Sequence, residues 1–115
     1  MNRYLVAVTL YVRRNCAREF RAFEQRSLAV AARHGAELLA AARLAPEPCD
    51  ALAPYEFHLL AFPSEAAFLA FREAADSRSL DSERARVIVR SDLMLGCELD
   101  VSGSDFASGA LSIEG

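Results

Sequence analysis

Apolar residues dominate both faces of the first segment of the chain. Residues 3–13 are largely β-branched, aromatic or aliphatic, which predicts a first β-strand. Side chains of a strand point alternately to its two faces. One face is uniformly large and apolar, with Tyr4, Val6, Val8, Leu10 and Val12. The other is smaller and slightly polar, with Leu5, Ala7, Thr9 and Tyr11, so we expect both faces to be covered.

A helical period follows this strand. Apolar residues recur at three- and four-residue spacing through residues 16–34, which predicts a helix with Asn15 as its N-cap and Gly35 as its terminator. Residues 37–45 are rich in alanine and leucine and favour a helix by propensity. Because Gly35 has just ended one helix and Pro46 and Pro48 end this segment, we predict a second strand there instead.

The sharpest local pattern lies in residues 55–75. Pro54 and Pro63 bound an aromatic and aliphatic run at residues 55–62, which predicts a third strand. Ser64 suits the N-cap of a second helix, because its hydroxyl can accept a free backbone amide. That helix has one apolar face, formed by Ala67, Phe68, Phe71, Ala74 and Ala75.

The pattern of residues 76–115 predicts a turn, a short helix, a last strand and a tail. Residues 76–79 are turn-like, and residues 80–86 favour a short helix. Residues 87–101 supply the last strand or a broken pair of strands, in which Gly96 indicates a bulge or a close backbone approach. Residues 1–101 therefore form one predicted domain. Residues 102–115 are rich in serine and glycine and predict a flexible tail, whose apolar residues 110–113 could dock on a partner.

The order of the long elements is strand, helix, strand, strand, helix, strand. This is the ferredoxin-like βαββαβ pattern of an α+β domain, with a four-stranded antiparallel sheet and both helices on one face. By parity, the other face carries an apolar set that would not be left in water: Leu5, Ala7, Tyr11, Leu60 and Phe62. A second copy related by two-fold symmetry would cover this face, so we predict a homodimer.

Composition narrows the possible partners. The hydrophobic share of 53%, the charged share of 25% and the net charge of -3 are typical of a soluble globular domain, and no basic block indicates a nucleic-acid partner. No segment reaches transmembrane length or resembles a signal peptide, so we expect a cytoplasmic protein without a membrane partner. Three separated cysteines, Cys16, Cys49 and Cys97, predict neither a disulfide scaffold nor a zinc site.

Residues 56–74, EFHLLAFPSEAAFLAFREA, together with this element order, resemble the dimeric α+β barrel superfamily. The resemblance covers about residues 3–100 and is to small bacterial proteins of uncharacterised function that share a Phe-Pro-Ser turn, here Phe62-Pro63-Ser64. Those proteins often have a double glycine after the first helix, whereas this chain has His34-Gly35-Ala36. The superfamily includes cofactor-free antibiotic-biosynthesis monooxygenases, haem-degrading enzymes, dehydratases and plant stress-response proteins.

Candidate chemistry centres on His58. Parity places Glu56 and His58 on one face of the third strand, and we expect that face to point away from the helices, into the barrel or its rim. A hairpin between the second and third strands would put Arg43 opposite Glu56 and allow an ion pair. We therefore predict a ligand pocket in which His58 is a general base or polar anchor. The ligand-binding residues of this pocket are predicted to be Tyr11, Arg43, Glu56 and Met94.

A purely structural interpretation stands beside this one. It makes His58 a satisfied, partly buried residue and Arg43–Glu56 an interface ion pair, with Tyr11 packed against a second subunit. Two functions follow: a cofactor-independent enzyme, monooxygenase- or isomerase-like, acting on a small apolar molecule, or a non-catalytic ligand-binding or assembly module. A haem-handling protein is a third and weaker hypothesis. No nucleotide or metal motif is present, so we expect no cofactor and no metal.

Overall fold

The computed structural model describes residues 2–103 and confirms the ferredoxin-like fold. Its strands are β1 (Tyr4–Val12), β2 (Glu37–Arg43), β3 (Glu56–Phe62) and β4 (Ile88–Cys97). Its helices are α1 (Ala17–Arg33), α2 (Glu65–Glu73), α3 (Ala75–Arg78) and α4 (Asp81–Val87), and a short 3-10 turn spans Asp50–Leu52. The strands form one antiparallel sheet in the order β2-β3-β1-β4, with the helices on one side.

The register of β1 against β3 corrects one prediction about the faces of the sheet. Val6 lies opposite Leu60, Val8 opposite His58 and Leu10 opposite Glu56. Directly opposed residues of an antiparallel pair share a face, so all of these side chains point towards the helices. Leu60, Phe62, Glu56 and His58 therefore do not lie on the open face, as the parity argument had placed them. The reason is that β3 is apolar on both faces, so alternation alone cannot say which face meets the helices.

The core between sheet and helices consists of two hydrophobic clusters. The first comprises Leu10, Val12, Phe20, Phe23, Val30, Tyr55, Leu80, Val87 and Ile88. The second comprises Tyr4, Val6, Ala31, Leu60, Phe62 and Phe68. Val8, opposite His58, is only partly buried and packs against both clusters. The position of His58 on the sheet is thus the place where the two clusters meet.

The Phe-Pro-Ser turn joins three elements. The Ser64 hydroxyl accepts a hydrogen bond from the amide of Ala67 at 3.1 Å, which confirms the predicted cap of α2. Gly35 ends α1 with a φ of +92°, as predicted, and a Cβ at this position would lie 3.0 Å from Cγ of Pro63. The chain therefore turns out of α1 directly against the turn that begins α2, and only glycine combines this backbone conformation with this approach.

Several local details differ from the sequence predictions. Asn15 does not cap α1, because it adopts a φ of +66° in the preceding turn and Cys16 occupies the N-cap without a side-chain bond. Gly96 pairs regularly with Leu5, and the register shift of β4 lies instead opposite Tyr11 and Val12. Of residues 76–79, predicted as a turn, the first three lie in the short helix α3 and Ser79 is its C-cap.

Most of the predicted C-terminal tail lies outside the described residues. From residue 104 onwards the predicted tail lies outside the described residues, as does the apolar patch at residues 110–113. Within residues 2–103, no helix has the length and hydropathy needed to cross a membrane.

Replacing Gly35 by alanine tests the turn. We expect Gly35→Ala to lower the free energy of unfolding by about 1–2 kcal/mol or more, because an L-residue is strained at this φ and its Cβ would press on Pro63. Gly96→Ala is the matched control, since nothing lies within 4 Å of its added Cβ. Chemical denaturation measures both variants, and equal losses of stability would contradict this account of Gly35.

Candidate functional site

A cavity of about 440 Å³ lies between the sheet and the helices, where the two core clusters meet. Its apolar walls include Phe20, Phe23, Leu60, Phe62, Phe68 and Phe71. Glu24 and His58 line the same cavity. These two residues also line a smaller, more open cleft of about 240 Å³ on the side of β2, so the polar pair separates two spaces.

A histidine and two carboxylates lie together between the cavity and the cleft. Glu56 and His58 are two residues apart on β3 and so point to the same face, while Glu24 reaches them from α1. The Nε2 atom of His58 is hydrogen-bonded to Oε1 of Glu56 at 2.9 Å and lies 2.7 Å from Oε2 of Glu24. His58 and Glu56 are only 5% and 6% exposed, so water contributes little to this arrangement.

Arg43 completes the cluster from β2. Its guanidinium donates from Nε and Nη2 to Oε2 of Glu56, at 3.0 Å and 2.7 Å, and it lies 4.4 Å from the centre of the Tyr55 ring. Arg43 is directly opposite Glu56 in the ladder, as the predicted hairpin required. Two acidic and two basic groups are therefore assembled together, which offsets the cost of burying each charge.

The cluster shifts the proton affinity of its members. Burial disfavours the charged form of His58, but its contacts with Glu24 and Glu56 outweigh burial and raise its pKa above the usual value. Burial also raises the pKa of Glu56, as does the neighbouring Glu24. Burial acts to raise the pKa of Glu24 too, yet its contacts with His58 and Glu56 lower it overall. The site thus favours a charged His58 beside an ionised Glu24.

The second ring nitrogen of His58 has a different environment. No described residue hydrogen-bonds Nδ1. Within residues 2–103, no fully buried side-chain nitrogen or oxygen lacks a hydrogen-bond partner, so Nδ1 keeps some accessible surface, and His58 lines both the cavity and the cleft. The carboxylates hold Nε2 and leave Nδ1 as the ring atom that a bound molecule can meet.

Glu24, Glu56 and His58 are also of the residue types that bind metal ions. One ligand atom each from Glu24, Glu56 and His58 lie within 4.8 Å of one another, and these residue types can bind a divalent ion. Without an ion, however, the three groups already satisfy one another, and Arg43 and a protonated His58 balance the two carboxylates. The arrangement therefore gives no argument for a metal.

Two predicted pocket residues lie elsewhere. Tyr11 is on the face of β1 that points away from the helices, where the guanidinium of Arg90 lies 4.8 Å from the centre of its ring. Met94 is opposite Ala7 on that same face and is 74% exposed. The structure brings together His58, Glu56 and Arg43, but not Tyr11 or Met94. The earlier grouping was wrong because it put His58 on the open face with them.

Glu24 was missed by the sequence predictions. It follows Phe23 and lies four residues after Phe20, so the helical period puts it beside the buried stripe of α1. A carboxylate next to an apolar helical face was the available signal. Charged residues elsewhere on α1 are exposed, which made Glu24 look like another residue of the solvated face.

The titration of His58 tests the cluster. We expect NMR to give His58 a pKa above about 6.5, and Glu24→Gln to lower it because a negative neighbour is removed. A group with a raised pKa in the folded state stabilises the fold below its unfolded pKa, and this stabilisation is lost as pH rises through the folded value. The free energy of unfolding should therefore fall above pH ~6.5 in the native chain.

His34→Gln provides the assignment and the control for this titration. The chain has two histidines, and the other, His34, contacts Asp76 at 3.0 Å and packs against Phe71 without lining the cavity itself. Removing His34 leaves a single histidine signal that belongs to His58. A His58 pKa at or below the ordinary value, unmoved by Glu24→Gln, would contradict the assembled cluster.

Several solved structures have a fold similar to that of this chain. No protein-family model matches the chain, and no curated protein does. A protein of unknown function from Rhodopseudomonas palustris has a TM-score of 0.70 at 17% identity, over 86% of this chain and 84% of that one. A dabb-family protein with a ferredoxin-like fold from Mesorhizobium loti has a TM-score of 0.65 at 11% identity, over 87% and 100% of the two chains.

An enzyme is also among the similar structures. SnoaB, a cofactor-independent oxygenase from Streptomyces nogalater, has a TM-score of 0.63 at 14% identity, over 87% of this chain and 96% of its own. At these identities the likeness is one of fold. The chain has the ferredoxin-like architecture of these proteins.

Proposed function

We propose that this protein is a small cofactor-independent enzyme, monooxygenase- or isomerase-like, in which His58 acts as a general base on a small, mostly apolar molecule. One observation carries the proposal: Nε2 of His58 is held by two carboxylates, Nδ1 has no described partner, and His58 lines a largely aromatic cavity. A base must reach the proton that it removes, and Nδ1 is the ring atom placed to do so.

The carboxylates prepare the ring for this role. The ionised Glu24 lies 2.7 Å from Nε2, which keeps the proton of neutral His58 on Nε2 and leaves the lone pair on Nδ1. When Nδ1 takes a proton from a bound molecule, the ring becomes positive, and Glu24 and Glu56 stabilise that charge. A raised pKa makes His58 a stronger base once the pH is high enough to deprotonate it.

The cavity walls determine what can bind beside this base. They are mainly aromatic and aliphatic, and the space of about 440 Å³ suits a small organic molecule. Removal of a proton from such a molecule leaves an electron-rich anion, which can isomerise or react with oxygen without a cofactor. The fold likeness to SnoaB, a cofactor-independent oxygenase, supports this reaction class by analogy.

A probe reaction tests the base without knowledge of the natural substrate. 5-Nitrobenzisoxazole is small, planar and uncharged, and its ring opens when a base removes its C–H proton and the N–O bond breaks. We expect the protein to accelerate this opening, with a rate that rises with pH through the pKa of His58. His58→Gln should lower the rate about 100-fold or more, since general-base catalysis contributes on that scale.

His34→Gln is the matched control for the probe reaction, because it removes a histidine outside the cavity, and it should retain the full rate. The alternative function, a non-catalytic ligand-binding module, predicts a different result. In that case the protein binds apolar probes, but the native chain opens the ring no faster than His58→Gln. This outcome would overturn the proposed enzyme.

We also infer that the protein is a homodimer formed through the open face of the sheet. That face carries Leu5, Ala7, Thr9, Tyr11, Phe57, Leu59 and Met94, a largely apolar surface that no described helix covers. An apolar face of this extent is stabilised by a partner, and a second copy supplies a matching one.

Light scattering tests the dimer. We expect a mass of twice the 12.6 kDa of one chain, and Leu59→Glu, in the middle of the open face, should give monomers because it would bury a charge. Leu69→Glu is the control, since Leu69 is 50% exposed on α2, on the other side of the sheet. A native chain of monomeric mass would contradict the inference.

A further inference from the structure

We propose that the ligand of the cavity is an aromatic anion, such as a small aromatic carboxylate, whose charged group binds at the cavity mouth while its ring system lies between the aromatic walls. This inference rests on the proposed function of the same cavity and adds the substrate class. It follows from the polar residues of the α2–α4 segment, which have no role in the proposed proton removal by His58.

Three arginines line the cavity from this segment: Arg72, Arg78 and Arg84. Arg72 and Arg78 are exposed to solvent, so they mark the open side of the cavity, whereas His58 is buried. Asp81, the one carboxylate of this segment that lines the cavity, is paired with Arg84 at 2.7 Å. Within residues 2–103, neither Arg72 nor Arg78 has an ion-pair partner.

Aromatic rings hold two of these cations at the cavity wall. The guanidinium of Arg72 lies 5.6 Å from the centre of the Phe68 ring, and that of Arg84 lies 5.4 Å from the centre of the Phe23 ring. Both rings line the cavity. Cation–π contacts of this kind keep the charges next to the apolar space instead of free in solvent. A ligand ring between these walls would therefore carry any anionic substituent close to a guanidinium.

Ser77 provides an independent sign of a polar ligand group. It is 6% exposed and lines the cavity from α3, and no described residue hydrogen-bonds its hydroxyl. Because no sealed side-chain oxygen in residues 2–103 lacks a partner, this hydroxyl also reaches open space. A hydroxyl on a buried residue that lines a cavity, with no described partner, suits a carboxylate oxygen.

The charges of the cavity also orient such a ligand. The mouth has three cations and one carboxylate, whereas Glu24 lies beside His58 further inside. Because His58 and Arg43 balance Glu24 and Glu56, the net positive charge at the mouth decides where an anionic group binds. The uncharged part of the ring system is then directed towards His58, where the proposed proton removal takes place.

Two fluorescent probes that differ by one charge test the inference. Anilinonaphthalene sulfonate and its uncharged parent, phenylnaphthylamine, share a ring system, and both brighten in apolar sites. We expect the sulfonate to bind more tightly at low salt and to lose this advantage at high salt. Arg78→Gln and Ser77→Ala should each weaken sulfonate binding about three- to tenfold, the scale of a partly exposed charged contact, and leave the neutral probe unchanged.

Arg86→Gln is the matched control, since Arg86 is also exposed and lies on α4 but does not line the cavity. It should leave both affinities unchanged. Equal binding of the two probes, or equal effects of Arg78→Gln and Arg86→Gln, would overturn the anionic ligand. Ring opening of 5-nitrobenzisoxazole, which has no anionic group, tests the base alone, and Arg86→Gln should retain the full rate of the native chain. The proposed base and the proposed ligand class can therefore fail separately.

Discussion

The burial of two ionisable groups, Glu56 and His58, beneath α1 is the constraint on which the arrangement of this protein depends. Glu56 and His58 occupy core-facing positions of β3, between a sheet and helices that are otherwise apolar. A charge left alone there would cost several kcal/mol. Arg43 must therefore come from β2 and Glu24 from α1, which ties the edge strand and the long helix to one point. A one-residue slip of β3 would turn all its side chains to the other face and break this assembly.

The cluster also explains why the core is divided. Apolar residues pack tightly on either side of it, but polar groups held by one another cannot fill the space as aliphatic side chains do. Val8, which lies opposite His58 and packs against both clusters, is left only partly buried. The cavity occurs where close packing is interrupted by groups with a different chemistry, which is where local sequence rules are expected to fail.

The sequence predicted the fold well because its signals were local. Prolines, Ser64 and Gly35 set the bounds of elements through backbone chemistry, and β2 was identified against its helical propensity because its neighbours left room only for a strand. The Arg43–Glu56 pair followed from the hairpin, since opposed positions are fixed by register. The site was less predictable. The face of β3 depends on which of two apolar surfaces meets the helices, and this is a tertiary choice that no alternation encodes.

That one ambiguity accounts for most of the errors at the site. Once β3 was assigned to the open face, Tyr11 and Met94 became apparent neighbours of His58, and Glu24 on the helix could not be a partner at all. When the polar face of β3 is turned towards the helices, Tyr11 and Met94 are no longer neighbours of His58, and Glu24 becomes one. The charge pattern could have shown which face of β3 meets the helices. A buried histidine needs a hydrogen-bond partner, and the carboxylate residue Glu24 lies beside the buried stripe of α1.

A structural histidine and a catalytic one differ in what happens to the second ring nitrogen. For stability alone, an ion cluster has no clear advantage, since well-packed hydrophobic residues of similar volume are often as stabilising. A histidine kept for structure is expected to have both nitrogens paired, as buried polar groups generally do. Here Nε2 has two carboxylates within 3 Å, while Nδ1 has no described partner and reaches open space. The carboxylates explain how His58 is held, and the open nitrogen next to an aromatic cavity is what a structural role leaves unexplained.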